Sequence, residues 1–552
     1  MRRKSTFRTA MTTALVTLAG ALGAFLLGFA GPSAVGKTDS SPPAKPGPTD
    51  ARGRELFANH CAACHGEKGD GNGPAARFLD PKPRDFGEAK FRIVTTTNQI
   101  PCDADLKRVV TNGMPGSAMF PFGHLGDQDV SALVGEIRRL IRQGFEERLR
   151  KAAAESGDAV DENDVAELIK TGTSPGDPLP IPDQLPVMTA ESAKHGAEMF
   201  RNTTAACVAC HGEKGKGDGV QEQRNDNGMP TRPRDLTRGI FKGGRDPRQI
   251  YARIVRGLPG SPMPGNEFLK PAEIGDVVNY ILSLSTPEDT TRTQHRRQAI
   301  AAARVPALPE DASWPEVKAL PVVVTPLWWR NYPEPELKVA ALHDGKSLAI
   351  RLAWTDATMN DSAVRPQDFE DMAAVQLYKG SPEPFLGMGA ANKLLDVWLW
   401  RAGWVKKPAG VADVDTTYPN MAVDLYPFER RGDGSRQHAT ERQDKDYLAA
   451  LAVGNVLADP SRSLSAASLA AKGFGTLTMR PRPSQAVTAA ASWKDGRWTV
   501  VLRRKLNVAD GDGVNLTAGD RVSVAFAIWD GAARDRNGQK LVSIWHDLLI
   551  EK

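Results

Sequence analysis

Cysteine is scarce and segregated in this chain: there are five in 552 residues, and none lies after Cys210. Tryptophan is absent until Trp314, yet eleven occur from there onward. Two regions of such different composition are separate folds, and a chain of this length is expected to hold about three domains of ordinary size. An excess of one charge is lacking too. The net of +5 includes Arg2, Arg3, Lys4 and Arg8, so without these four cations the chain stands near +1 (5 − 4). That excludes a nucleic-acid partner and a broad electrostatic hold on a membrane surface. No cysteine closely follows the N-terminal apolar run, so lipoprotein anchoring is without support.

That run extends without charge from Thr9 to Val35 behind the four cations, with small residues at Gly28 and Ala30 where a peptidase could cut. Residues 1–36 therefore read as an export signal, or as an N-terminal anchor if the run is retained. Arg2-Arg3 alone does not establish a twin-arginine signal. Export places the rest of the chain in the periplasm, with residues 37–50 as a linker.

Four of the five cysteines fall in two copies of one motif, Cys61-Ala-Ala-Cys64-His65 and Cys207-Val-Ala-Cys210-His211. This spacing lets two thiols bond covalently to one haem while the adjoining histidine ligates its iron. The bland alternative is a pair of reduced or disulfide-bonded turns. Both copies, however, are followed by the same downstream pattern. Gly-Glu-Lys-Gly-Asp-Gly (66–71) is matched by Gly-Glu-Lys-Gly-Lys-Gly (212–217), and Pro83-Arg84-Asp85-Phe86 by Pro233-Arg234-Asp235-Leu236. A glycine-proline loop then ends in Met119 in one copy and in Met263 in the other.

A haem that only passes electrons needs a second axial ligand, commonly a methionine sulfur from a later loop. Met114 is matched by Leu258, whereas Met119 is matched by Met263, so Met119 and Met263 are the candidate sixth ligands. Amphipathic runs precede each motif, at Gly53–Phe57 and Gly196–Phe200, and closing helical patterns follow at 130–140 and 273–284. Helix, C-x-x-C-H, methionine loop and closing helix together resemble class I cytochrome c, twice. The resemblance covers residues 51–145 and 188–288, with linkers at 146–187 and 289–320. Cys102 is left over, as a small inert side chain or a thiol with a partner. Lys90, Arg92, Lys107, Arg108, Arg253 and Arg256 read as solvated helix faces rather than a docking rim.

From residue 321 to 552 the period becomes that of strands. Leu348, Ile350, Leu352 and Trp354 alternate after Asp344-Gly345; Trp498, Val500 and Leu502 follow Asp495-Gly496; Val522, Val524, Phe526 and Ile528 precede Asp530-Gly531. Repeated hairpin signals of this kind predict an antiparallel β-sandwich. Residues 401–470 are less regular and read as insertions and short helices. The fold class expected is thus multidomain: two all-α cytochrome c domains followed by an all-β antiparallel sandwich.

Two places in the last block look chemical, Pro384-Phe385-Leu386-Gly387-Met388-Gly389 and the run from Ala527 through Lys540 to Trp545. Here the sequence is similar to the haem-binding γ subunit of ethylbenzene dehydrogenase and related periplasmic molybdenum enzymes of the dimethyl sulfoxide reductase group. The resemblance implies a non-covalent haem b held in the sandwich by a methionine and a lysine. By motif these are Met388 and Lys540, with Lys472 as the substitute lysine and His343 and His546 as other imidazoles. A lysine ligates iron only as the neutral amine, which needs burial or the metal itself to depress its pKa.

The reading is a periplasmic electron-transfer subunit with two haem c and one haem b, not itself an enzyme. The resemblance implies iron–sulfur and molybdopterin subunits as partners on one side and a soluble cytochrome or membrane electron chain on the other. One alternative is a dihaem peroxidase-like enzyme, which needs an open iron position that the two matched methionines oppose. Another keeps the c haems and makes the sandwich an interaction or carbohydrate-binding module.

Overall fold

The computed structural model describes residues 48–157, 161–202, 205–225, 228–310, 314, 317–330, 334–405, 417–418, 450, 453, 455–458, 464–508 and 513–552. The N-terminal signal or anchor, most of its linker, and most of the irregular stretch at 401–470 lie outside these residues. Of that stretch the described part holds a short helix, Ala402–Val405, and a 3₁₀ turn, Val456–Ala458. No described helix is long and apolar enough to cross a membrane.

Each cytochrome-like repeat is built on one helix pair. In the first, Pro48–His60 packs on Asp127–Ser156, burying Leu56 and Phe57 against Val130, Leu133, Ile137, Leu140 and Ile141. The spacing of those last five residues places them on one helical stripe. In the second, Ala190–Arg201 packs on Pro271–Ser283, burying Phe200 against Ile274, Val277, Val278 and Ile281. Both pairs cross at a glycine. A Cβ on Gly53 would strike the Ala132 carbonyl, and one on Gly196 the Asp276 carbonyl. Glycine at these matched positions lets the two backbones touch.

The stretch 146–187, expected as a linker, is structured. The closing helix of the first repeat runs on to Ser156, and a second helix, Glu162–Thr173, starts at Asp161, whose carboxylate accepts from the Asn163 and Asp164 amides. It packs beside Phe145, and the chain then pairs with the first domain through Thr97 N to Asp177 O and Leu179 N to Thr95 O, both 2.8 Å. Cys102 opens the helix Asp103–Asn112. Its amide is 3.2 Å from the Asp105 carboxylate, which also accepts from Thr95, so the residue serves a helix start.

The C-terminal block is a large sheet rather than a purely antiparallel one. Its order runs Thr478–Met479, Ala467–Ala471, Leu395–Arg401, Met372–Tyr378, Arg521–Trp529, His546–Ile550, Ala299–Arg304, Leu337–His343, Ser347–Thr355, Arg497–Lys505, Thr488–Lys494. All neighbours are antiparallel except Ala299–Arg304, which is parallel to both its neighbours. That strand lies inside the expected linker 289–320, so the sheet starts earlier than residue 321. Its Ala-Ile-Ala-Ala-Ala-Arg sequence has one β-branched residue, and its strand state comes from being sandwiched between two partners rather than from propensity.

The two halves of the sheet meet face to face. Trp354 and Trp498 are register partners on one half, and Trp400 from the other half reaches them, with ring centroids 6.1 and 4.9 Å away. Beneath this cluster Asp371 is fully buried and accepts from the Gly531 amide, the Asn360 amide and Trp498 Nε1. Asp356 and Asp530 offer carboxylate oxygens within 4.8 Å of it. Burial, with the neighbouring Asp371 and Asp530 charges, pushes Asp356 up to about 7, and burial pushes Asp371 up to about 6.

Because both folded-state values lie above the ordinary carboxylate value, the folded chain holds more protons than the unfolded one between about pH 4 and pH 7. Stability from these groups is present below that window and is lost as pH rises through it. Denaturant titrations at pH 5 and pH 7.5 should show the loss, and Asp356→Asn should flatten it. An unchanged slope in the variant would remove burial of this carboxylate as the cause.

Candidate haem sites

The first motif folds as a single tight turn. Cys61 N donates to Phe57 O at 2.8 Å and His65 N to Cys61 O at 2.9 Å, so the motif is wound directly onto the end of the first helix. Cys61 and Cys64 form no disulfide. Both line a cavity of about 670 Å³ together with His65, Met114 and Met119. His65 Nδ1 lies 3.0 Å from the Arg84 carbonyl and its ring stacks on Phe86 at 4.8 Å. That fixes the ring and leaves Nε2 as the nitrogen available to a metal. Burial lowers the imidazole pKa, which favours the neutral form that ligation requires.

The methionine loop is the same device in both repeats. Met114 N donates to Met119 O at 2.8 Å, and Leu258 N to Met263 O at 3.1 Å. Ser117 Oγ donates to Met114 O and Ser261 Oγ to Leu258 O, each at 2.7 Å. Met114 lines the first cavity beside Met119, which repeat matching by itself did not bring out. In the second repeat, burial pushes His211 down to about 4, and the Arg234 backbone lies beside its ring. The geometry there is looser, without a hydrogen bond at His211 Nδ1 that meets ordinary criteria.

Met388 and Lys540 line that same 670 Å³ cavity from the sheet side. Met388 has φ of 75°, a left-handed conformation that costs a non-glycine residue about 1–2 kcal/mol. It is held there by Gly473 N donating to its carbonyl at 2.6 Å, while Gln376 Nε2 donates to Leu386 O at 2.7 Å just upstream. Strain of this kind persists where the surroundings demand one side-chain direction. Lys540 Nζ sits 4.8 Å from the Trp529 ring centroid, and burial pulls its pKa down to about 8. Lys472 is exposed and does not line the cavity. His343 and His546 are buried outside it, each accepting an amide at Nδ1 from Gly345 and Gln298.

The first domain closes this cavity through a backbone seam. Asp80 N donates to Leu327 O at 3.0 Å and Trp329 N to Asp80 O at 2.9 Å. Leu327 N donates to Lys540 O at 2.9 Å, which ties the seam to the candidate ligand. The Phe78 side chain, two residues before Asp80, packs against Gly538 and lines the cavity. Trp529 belongs to the run from Ala527 to Trp545 already marked as chemical, whereas Phe78 was not foreseen as a site residue and nothing in its local pattern marks it.

A family model described as cytochrome c matches residues 51–138 and 193–285, and one described as ethylbenzene dehydrogenase matches 301–541. The chain joins two cytochrome c domains to an ethylbenzene dehydrogenase family domain. A chain described as a respiratory nitrate reductase haem subunit of Haloferax mediterranei is 26% identical over 255 residues, 45% of this chain and 70% of its own. The dimethylsulfide dehydrogenase subunit gamma of Rhodovulum sulfidophilum is 27% identical over 258 residues, 44% of this chain and 74% of its own. For the chlorate reductase subunit gamma of Ideonella dechloratans the figures are 27% over 215 residues, 39% and 64%.

The two cytochrome c domains also grip each other through their methionine loops. Arg234 of the second domain donates to the Gly116 carbonyl of the first, and Arg84 of the first lies against Gly260 of the second. A Cβ at Gly116 would come within 2.6 Å of Arg234 Nη1, at a φ of +70°, whereas one at Gly126, with φ of +85°, meets nothing within 4 Å. Gly126→Ala therefore carries strain alone, about 1 kcal/mol. Gly116→Ala carries strain plus the clash and should cost visibly more in thermal unfolding. Equal losses in the two variants would mean that the arginine contact contributes nothing.

Proposed function

We propose that the chain is a periplasmic three-haem electron-transfer subunit, with Cys61, Cys64, His65 and Met119 serving one haem c, Cys207, Cys210, His211 and Met263 a second, and Met388 and Lys540 a haem b. The supporting observation is that one continuous cavity carries the first domain's cysteines, histidine and methionine and the sheet domain's methionine and lysine. The residues fit these groups. Cys61 and Cys64 line the first cavity with an oriented imidazole whose pKa burial lowers, and Lys540, of lowered pKa, lines the same cavity as Met388, which is held in a left-handed turn. Haems so ligated supply reversible one-electron exchange.

The protein's own contribution is to position. Arg84 orients His65 through its carbonyl, Phe78 and Leu79 form part of the wall of the shared cavity, and the Trp529 ring lies beside Lys540 Nζ. The first cytochrome c domain contacts both the sheet domain and the second cytochrome c domain. Relatives named as haem and gamma subunits support the reading of an electron-transfer rather than a catalytic chain. The γ-subunit resemblance implies iron–sulfur and molybdopterin subunits of a periplasmic oxidoreductase as partners on one side and a soluble cytochrome or membrane chain on the other. The matched methionines in both c domains oppose peroxidase chemistry, which needs an open iron.

Pyridine haemochrome analysis of the purified protein should return two c-type haems and one b-type. Lys540→Ala and Met388→Ala should each deplete the b signal and spare both c signals; a c-only spectrum in the unaltered protein would leave the sheet domain without a haem. Met119→Ala should make one reduced c haem take up carbon monoxide, while Met114→Ala should not. Uptake in the Met114 variant alone would exchange the two assignments.

A further inference from the structure

Arg92, expected on a solvated face, turns inward and lines the first cavity, whereas Lys90 stays exposed. Arg84 and Arg92 of the first domain correspond in the repeat to Arg234 and Lys242 of the second, since Arg92 follows Phe86 by six residues and Lys242 follows Leu236 by six. The structure gathers all four. Burial pushes Lys242 well below its ordinary pKa, and the charges that lower it further are Arg234, Arg92 and Arg84. Arg234 is pushed down to about 10 by burial, with Arg92 again among its cationic neighbours.

Lys242 belongs to the second domain, yet with Arg84 and Arg92 it lines the cavity that holds Cys61, His65 and Met119. Among the described residues it makes no hydrogen bond or ion pair. Of the nearby carboxylates, Glu334 pairs with Arg238 and Glu88 is shared between Arg84 at 3.8 Å and Arg148 at 3.9 Å, so Arg84 has one carboxylate partner and neither carboxylate pairs with Lys242. Like charges held together away from water are unfavourable unless an anion joins them.

We propose that Arg84, Arg92, Arg234 and Lys242 form one seat, shared by the two cytochrome c domains, for the carboxylate groups carried by their covalently attached haems. Each domain thereby completes the other's haem site. The proposal rests on the reading of two c haems. It assigns the four residues a positioning and charge-balancing role, and Lys242 is the one whose effect crosses domains most plainly. A cation removed from the shared seat favours the oxidised, more positive form of both irons, so both c couples must move together and downward.

The test is a spectroelectrochemical titration of Lys242→Met, Lys242→Arg and, as an exposed control in the second domain, Lys216→Gln. Covalent haem is counted first: fewer than two c haems in the unaltered protein removes the underlying reading, not this inference. With two present, Lys242→Met should lower the reduced-to-oxidised ratio of both c components at fixed ambient potential, up to about tenfold, 59 mV for a one-electron couple. Lys242→Arg should stay near the unaltered protein, and the b component and Lys216→Gln should not move. A shift in only one c component, in neither, or upward overturns the shared seat. Should Lys242→Met fail to accumulate, Arg234→Gln is read by the same criteria.

Discussion

A short backbone seam is the constraint on which the haem-site architecture depends. Asp80 exchanges hydrogen bonds with Leu327 and Trp329, Leu327 is bonded to Lys540, and Phe78 covers Gly538. Backbone pairing of this sort is directional and tolerates little slip. It therefore helps fix where the first cytochrome c domain stands on the sheet, where the two line one cavity. A lysine amine is a poor metal ligand in water, because it is protonated there. Burial in this cavity lowers the Lys540 pKa, which is the direction a metal-ligating amine needs.

Duplication gives the molecule its economy and its asymmetry. The two cytochrome c domains keep the same glycine crossing, the same methionine-loop hydrogen bonds and the same Pro-Arg-Asp segment. Packing then sets them different tasks. The first faces the sheet with its 78–80 segment, whereas the matched stretch of the second does not join that seam. The arginine of each Pro-Arg-Asp segment places its backbone beside its own domain's histidine and extends its guanidinium to the other domain's methionine loop.

The sheet domain shows the same division between local preference and imposed geometry. Its tryptophans meet across the fold because two strands far apart in sequence, Leu395–Arg401 and Arg497–Lys505, belong to opposite halves. Met388 adopts a backbone conformation that methionine avoids, and the hydrogen bonds on either side hold it there. The Ala299–Arg304 strand has no strong preference of its own, and it becomes a strand because both of its neighbours offer an edge.

The repeat and the two C-x-x-C-H turns were legible in sequence, because each is a matter of spacing within a segment and such information is local. Matching the repeats named Met119 and Met263, and the family resemblance, not spacing, named Met388 and Lys540; of these the first cavity is lined by Met119, Met388 and Lys540. The parallel strand, the helix at 162–173 and the inward face of Arg92 and Arg253 were not legible. A cation on an amphipathic helix looks the same whether its face meets water or another domain, and an alanine run carries no signal for the edges that will flank it. Sequence determined what each segment can bind; tertiary packing decided that the first haem site opens onto the sheet and that Lys242 crosses into its neighbour, because only contact between distant segments decides which surfaces lose their water.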